Sequence, residues 1–280
     1  MTTPRDIEPT PFHPLTGAPA PGVTRRRVVF GASGVLAARL AGVRHAYGQD
    51  ASATPEIQVG GEDDAVALLE RAAKTLAELD SFGFEMQTVR GSSTIMSGFE
   101  LQSVEGAVRR PTDLQAEIAV SIPLGNLSIG AISLDGVFYI QDPLSDGSWM
   151  ELGEMGEVQT LVNPDLLILT AVRLVQDARI TDTTKVDGAN TTVVEGTVDF
   201  SGLLERFGAG ADQDQMRSLL AGEPVDVGFW IDDEDRIVEV EMFGPIFASE
   251  SDDVVRVVSL FDFNEPVEID APEVVATPSF

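Results

Sequence analysis

The 280-residue chain contains no cysteine, so it has no disulfide framework, no thiolate metal site and no thiol nucleophile. Its two histidines, His13 and His45, both lie in the first 48 residues. Beyond that point neither a nucleophile–histidine pair nor a histidine zinc site can be built. Lysine is nearly absent there too, with only Lys74 and Lys185. No apolar run is long enough for a transmembrane helix.

Acidic residues are abundant instead. The chain has 46 acidic and 18 basic residues, a formal net charge of -28. Residues 1–48 hold six Arg against Asp6 and Glu8, which leaves 12 basic and 44 acidic residues after them, a net of -32. Such a surface repels nucleic acid phosphates and anionic headgroups, so no nucleic acid partner is expected. Solubility accounts for most of this charge. Hydrophobic residues make up 43% of the chain, enough for a sizeable core.

The basic N-terminal region has the layout of an export signal. Residues 1–23 are rich in Pro, Thr and Gly and read as a disordered lead-in. Thr24-Arg25-Arg26-Arg27-Val28-Val29-Phe30 follows, and it resembles the twin-arginine motif, with Arg25 and Arg26 as the pair. A weakly apolar stretch from Val28 to Val43 comes next, then Ala46-Tyr47-Gly48, a small-x-small cleavage site, with Ala51-Ser52-Ala53 as the alternative. The protein is therefore expected to be exported, to the cell envelope or beyond it. Leu40-Ala41-Gly42-Val43 is placed like a lipoprotein attachment box with Val where the lipidated Cys belongs. A Cys-linked lipid anchor is excluded there.

The expected organisation is residues 1–48 as lead-in and signal, 49–61 as linker, 62–273 as one folded domain and 274–280 as a tail. Glu62 to Leu79 predicts an amphipathic helix, with Val66, Leu69, Ala73, Leu76 and Leu79 on its apolar stripe. Alternating segments predict strands at 82–87, 98–105, 114–122, 127–134, 137–141 and 148–152, with turns at Asn126, Gly136 and Asp146-Gly147. Asn163-Pro164-Asp165 starts a second helix, apolar nearly all round from Leu166 to Val175. Strands at 178–186 and 191–199 meet at Asp187-Gly188. Helical patches at 201–207 and 212–220 precede strands at 225–231, 236–243 and 253–263. The loop Asp232-Asp233-Glu234-Asp235 reads as a turn of solvated acids, without the spacing or Gly of a calcium loop. About ten antiparallel strands with buried faces on one side, with three or four helices, predict an α+β fold whose sheet curves into a half-barrel or sandwich with helices over its concave face.

Four stretches resemble the LppX/LprAFG lipoprotein family: the first helix running into Leu79-Asp80-Ser81-Phe82-Gly83-Phe84-Glu85; Gly136-Val137-Phe138-Tyr139-Ile140-Gln141-Asp142-Pro143 with Trp149-Met150-Glu151-Leu152; Pro224-Val225-Asp226-Val227-Gly228-Phe229-Trp230-Ile231; and Leu260-Phe261-Asp262-Phe263-Asn264-Glu265-Pro266-Val267-Glu268-Ile269. The resemblance implies a LolA-like fold, in which a strongly curved antiparallel half-barrel has helices over its concave face and an apolar cavity between them. It also implies binding of acylated lipid or glycolipid within the envelope.

On that reading the lipid-binding walls are Leu166, Leu167, Leu169 and Val172 on the second helix. Phe84, Met86, Ile118, Val120, Val227, Phe229, Val240 and Met242 supply the strand face. Each of these is also what ordinary core packing would use. No catalytic residue, metal or cofactor is assigned, and no enzymatic activity is expected. A lipid carrier is the leading reading, acting as a monomer with a membrane transporter or other envelope partner. The alternative is an envelope sensor or interaction module with the same fold.

Overall fold

A computed structural model describes residues 61–96, 99–142, 147–153, 164–202 and 220–274. These residues fall within one unit, Glu56–Phe280.

The first helix, α1, spans Glu62–Glu78. Glu62, Asp63 and Asp64 fill its first turn, where the helix dipole favours anions, and the Asp64 carboxylate accepts from the Gly61 N–H at 3.2 Å. Its buried stripe is Ala65, Leu68, Leu69, Ala72 and Leu76. Val66, expected on that stripe, is 41% exposed. The small residues Ala65 and Ala72 take the side against the sheet and rotate Val66 outward.

Twelve strands follow the expected order closely. They are β1 (Ser81–Arg90), β2 (Thr94–Met96), β3 (Phe99–Arg109), β4 (Asp113–Ile122), β5 (Gly125–Leu134), β6 (Val137–Gln141), β7 (Trp149–Gly153), β8 (Val175–Val186), β9 (Ala189–Val198), β10 (Val225–Asp232), β11 (Ile237–Phe243) and β12 (Val255–Phe261). The short β2 has no alternating pattern and was not expected. The second helix, α2 (Pro164–Leu174), runs directly into β8. Phe200–Gly202 forms one 3-10 turn, capped by the Asp199 carboxylate on the Ser201 N–H at 2.8 Å. The rest of the two expected helical patches, 203–219, lies outside the described residues.

All named strand pairings are antiparallel, in the order β7-β6-β5-β4-β3-β1-β12-β11-β10-β9-β8, with β2 pairing β3 off that path. Two meanders, β3–β7 and β8–β12, are therefore joined through β1, which pairs β3 on one side and β12 on the other. The hairpin turns carry residues that tolerate positive φ. Asp135-Gly136 (52° and 82°) and Asp187-Gly188 (50° and 90°) both have the type I′ pattern. The turn expected at Asn126 sits instead at Pro123-Leu124, since Ile122 pairs Gly125 and Asn126 already pairs Ser121 within the ladder. Asp146 lies outside the described residues.

The Asp232–Asp235 loop is not a simple solvated turn. Asp232 is 6% exposed, and its carboxylate accepts from the Glu234 and Arg236 N–H groups and from Arg236 Nε at 2.8–2.9 Å. It holds the hairpin closed.

Directly paired residues share a sheet face. One face carries Phe82, Phe84, Val104, Val108, Leu114, Ala116, Val227, Phe229, Val240, Val258 and Leu260, and these join the buried residues of α1 and α2 in one core. The opposite face carries Glu85, Glu105, Gln115, Glu117, Glu239, Glu241 and Ser259 at the intervening positions. α1 packs against α2, β8 and β11.

Candidate functional site

The apolar face under the helices is the candidate site. α2 supplies its roof. Leu167, Ile168, Leu169, Ala171 and Val172 are all at most 8% exposed, and among the described side chains of α2 only Arg173 is exposed. A helix apolar on nearly every side must be covered on every side. Arg110, between β3 and β4, fixes its position. The Arg110 guanidinium donates to both Asp165 carboxylate oxygens at 2.7 and 2.8 Å, and also to the Leu76 carbonyl at the end of α1 at 2.7 Å. One side chain thus ties the last turn of α1 to the first turn of α2. Burial pushes the Asp165 carboxyl above its ordinary value, against the opposing pull of the Arg110 hydrogen bond and charge.

The strand residues expected at the site do share one face. Phe84 lies opposite Leu260, Met86 opposite Val258 and Val104, and Ile118 opposite Val104. Across the other meander, Val227 faces Met242 and Phe229 faces Val240. Their surroundings differ. Phe84, Val227, Phe229, Val240 and Met242 are at most 2% exposed within the continuous core that also holds Leu167, Leu169 and Val172. Val120 is buried on the same face of β4 but outside that continuous cluster. Met86 and Ile118 pack against the core yet keep accessible surface, although both lie in strand interiors. The Leu166 side chain and the Arg25–Arg26 pair lie outside the described residues.

Several lining residues went unrecognised in the sequence. Ala65, Leu68 and Ala72 of α1 and Ile168 and Ala171 of α2 complete the helix side of the core. Val258 and Leu260 lie two apart within the expected 253–263 strand, so their alternation could have revealed them.

A buried polar cluster closes one end of this face. Arg256 lies opposite Met242 and Thr88, two residues from Val258 along β12. Its side chain is 3% exposed, and its Nη2 is ion-paired with Glu250, whose side chain is fully buried. Glu250 also accepts from Ser93 Oγ at 2.6 Å and from the Ile246 and Phe247 N–H groups at 2.9 and 3.0 Å. The guanidinium lies 5.9 Å from the Phe247 ring centroid. Burial lowers the Arg256 pKa to about 10.

Among the described residues no group of three or more His, Cys, Asp or Glu stands together as a metal site, and no helix is long and apolar enough to cross a membrane.

These features define an α+β protein in which a large antiparallel sheet turns one broad apolar face toward two helices. The sequence matches the model of the LppX/LprAFG lipoprotein family over residues 64–269, and the chain belongs to that family. No curated protein matches the sequence significantly. Among solved structures, LprF from Mycobacterium bovis is similar at 16% identity and a TM-score of 0.52, covering 75% of this chain and 97% of that one. LppX from Mycobacterium tuberculosis is similar at 16% identity and a TM-score of 0.51, covering 75% of this chain and 100% of that one. At that identity the likeness establishes the fold. The chain differs from a lipid-anchored lipoprotein in one respect: it contains no cysteine to carry the lipid.

Proposed function

We propose that this protein is an exported, non-enzymatic lipid carrier. It holds an acylated lipid or glycolipid between the sheet and α2 and moves it within the cell envelope. The observation that carries the reading is the accessible surface of Met86 and Ile118. Apolar side chains packed against a core from strand interiors are normally sealed, and apolar surface left open there suits an apolar ligand. Each buried methylene contributes ~0.8 kcal/mol, so a few acyl carbons bind usefully without any hydrogen bond.

Family membership supports the same reading. So do the register shifts at Thr88/Arg90, Leu101/Ser103, Gln176/Arg179 and Trp230/Ile231, because bulges bend strands and favour a sheet curled around a cavity. The binding walls on this reading are Met86, Ile118 and Val120 with Leu166, Leu167, Leu169 and Val172, backed by Phe84, Val227, Phe229, Val240 and Met242. Residues 1–48 deliver the domain outside the cytoplasm, residues 49–61 link it, and an envelope transporter is the natural partner of a monomeric carrier.

Mass spectrometry of organic extracts from the purified protein tests this directly. Co-purifying acyl lipid in near-stoichiometric amount is expected. Lipid-free protein that also takes up no fluorescent acylglycerol would refute the carrier reading.

A further inference from the structure

The two edges of the sheet are protected unequally. An edge strand presents unpaired backbone groups and invites another strand unless charge or a covering element blunts it. β8, at one edge, carries Asp177, Arg179, Asp182 and Lys185, and α1 packs against it. β7, at the other edge, carries one charge, Glu151. Six large apolar side chains are exposed among the described residues, and three of them meet at β7: Met150 at 39%, Leu152 at 44% and Val274 at 40%. Val274 reaches this edge through a parallel bridge to Trp149. Apolar residues scattered singly over a surface need no explanation, but a group of them on an open strand edge marks a contact.

The Val274 bridge shows that this edge accepts a further strand. It takes Trp149 and leaves residues 150–153 without a strand on that side among the described residues. Charge then selects the occupant. Glu151 is exposed between Met150 and Leu152, so an incoming strand meets one carboxylate flanked by apolar side chains. A second copy would set another acidic chain, of net charge -28, against this one, and like charges paired across strands are unfavourable. The chain's own residues beyond the bridge, Val275-Ala276-Thr277-Pro278, offer Glu151 no positive charge, and a proline has no N–H for a ladder. A strand from another protein, with Lys or Arg between apolar β-branched residues, meets both demands.

We propose that the free edge of β7 docks an extended basic segment of a partner protein. The segment adds as a strand beside residues 150–153, with apolar side chains against Met150 and Leu152 and a Lys or Arg beside Glu151. This edge is separate from the apolar face under the helices, so the contact stands whether or not that face holds lipid.

An NMR titration of the isotope-labelled full chain tests it, with two capped heptapeptides as probes: Thr-Val-Lys-Val-Lys-Val-Thr and Thr-Val-Glu-Val-Glu-Val-Thr. The Lys peptide should shift the backbone amides of residues 149–153. It should bind roughly 3-fold tighter than the Glu peptide, the effect of replacing a favourable cross-strand charge pair by a like-charged one. Glu151→Lys should reverse that preference and leave the thermal melt unchanged, since Glu151 is exposed. Leu152→Thr keeps strand propensity and should weaken both peptides by roughly 2-fold. No amide shift in β7 at millimolar peptide, equal binding of the two peptides, or an unreversed preference in Glu151→Lys would overturn the docking site. A concentration-dependent dimer in analytical ultracentrifugation that Leu152→Thr abolishes would also overturn it, by giving the edge to a second copy. Binding of the Lys peptide only after deletion of residues 275–280 would do the same, by giving the edge to the chain's own end.

Discussion

Arg110 and Asp165 meet in a two-point ion pair, 55 residues apart in the chain, at the junction of both helices with the sheet. Arg110 is 21% and Asp165 7% exposed at the side chain, so water screens the pair little. The third Arg110 contact, to the Leu76 carbonyl, reinforces an acceptor at the end of α1 that otherwise takes one long backbone hydrogen bond, 3.4 Å from the Leu79 N–H. Arg110→Ala should therefore destabilise the fold by roughly 2–4 kcal/mol, since it removes the charge that balances a buried carboxylate. Urea unfolding of both proteins measures this, and a loss below about 1 kcal/mol would place the pair with ordinary surface bridges.

The same pair predicts a pH dependence. Unfolded Asp165 releases its proton near 3.8, whereas the folded carboxyl, raised mainly by burial, holds it to higher pH. In that interval the folded chain binds more protons, so this group's contribution to stability falls as pH rises. Wild type should exceed Asp165→Asn by more at about pH 4 than at about pH 7. A gap that widens toward neutral pH would mean that Arg110 outweighs burial.

Filling the open and the sealed parts of the apolar face should have opposite consequences. Val227 is 2% exposed in the continuous core, so Val227→Trp should cost about 1–3 kcal/mol or more through overpacking. Ile118 retains accessible surface, so Ile118→Trp should be tolerated within about 1 kcal/mol. On the carrier reading Ile118→Trp should also abolish uptake of a fluorescent acylglycerol. A stable Ile118→Trp variant with undiminished uptake would remove Met86 and Ile118 from the binding wall.

Gly83 lies beneath the Phe261 ring on the face away from the helices, and a Cβ there would come within 2.5 Å of a ring carbon. Phe261 is 37% exposed, so its ring can yield only by giving up the strand surface it covers. Gly83→Ala should lower stability by about 1 kcal/mol, and Phe261→Ala should reverse that sign by leaving room for the methyl group. A double-mutant thermal melt measures the coupling, and strictly additive effects would show the contact to be unimportant.

On the export reading, Arg25 and Arg26 are the transport signal and Arg27 is a partial substitute for either. Changing all three to Lys should stop the protein from leaving the cytoplasm. N-terminal sequencing of exported wild type should begin near Gln49 or Thr54. Normal secretion of the triple variant would exclude the twin-arginine route.

The sequence was most legible where periodicity and turn chemistry agreed. Gly136 and the Asp187-Gly188 pair marked two hairpins, because few residues other than Gly, Asn and Asp accept positive φ values. Alternation around Ile118 and Phe229 placed the correct face inward. β2 was hidden because three residues cannot display a period. The α1 stripe was shifted because Ala65 and Ala72 carry little hydrophobic signal but fit closely against neighbours. Long-range ties were invisible for another reason: Arg110 to Asp165 and Arg256 to Glu250 depend on pairing partners that no local pattern names.

The position of β1 constrains the order of assembly. The first meander is a run of short connections, the second is so apart from the long link between β9 and β10, and each can form as soon as its own residues are present. Yet the two join only when Phe84 pairs Leu260 and Met86 pairs Val258, across more than half the chain. Such a late, distant closure makes folding slow. Until the C-terminal strand arrives, β1 has an unpaired edge open to pairing with other chains. Loss of residues 255–280 would therefore do more than trim an end, because it removes β12 and separates the meanders. A cell that makes this chain must shield that edge until synthesis is complete.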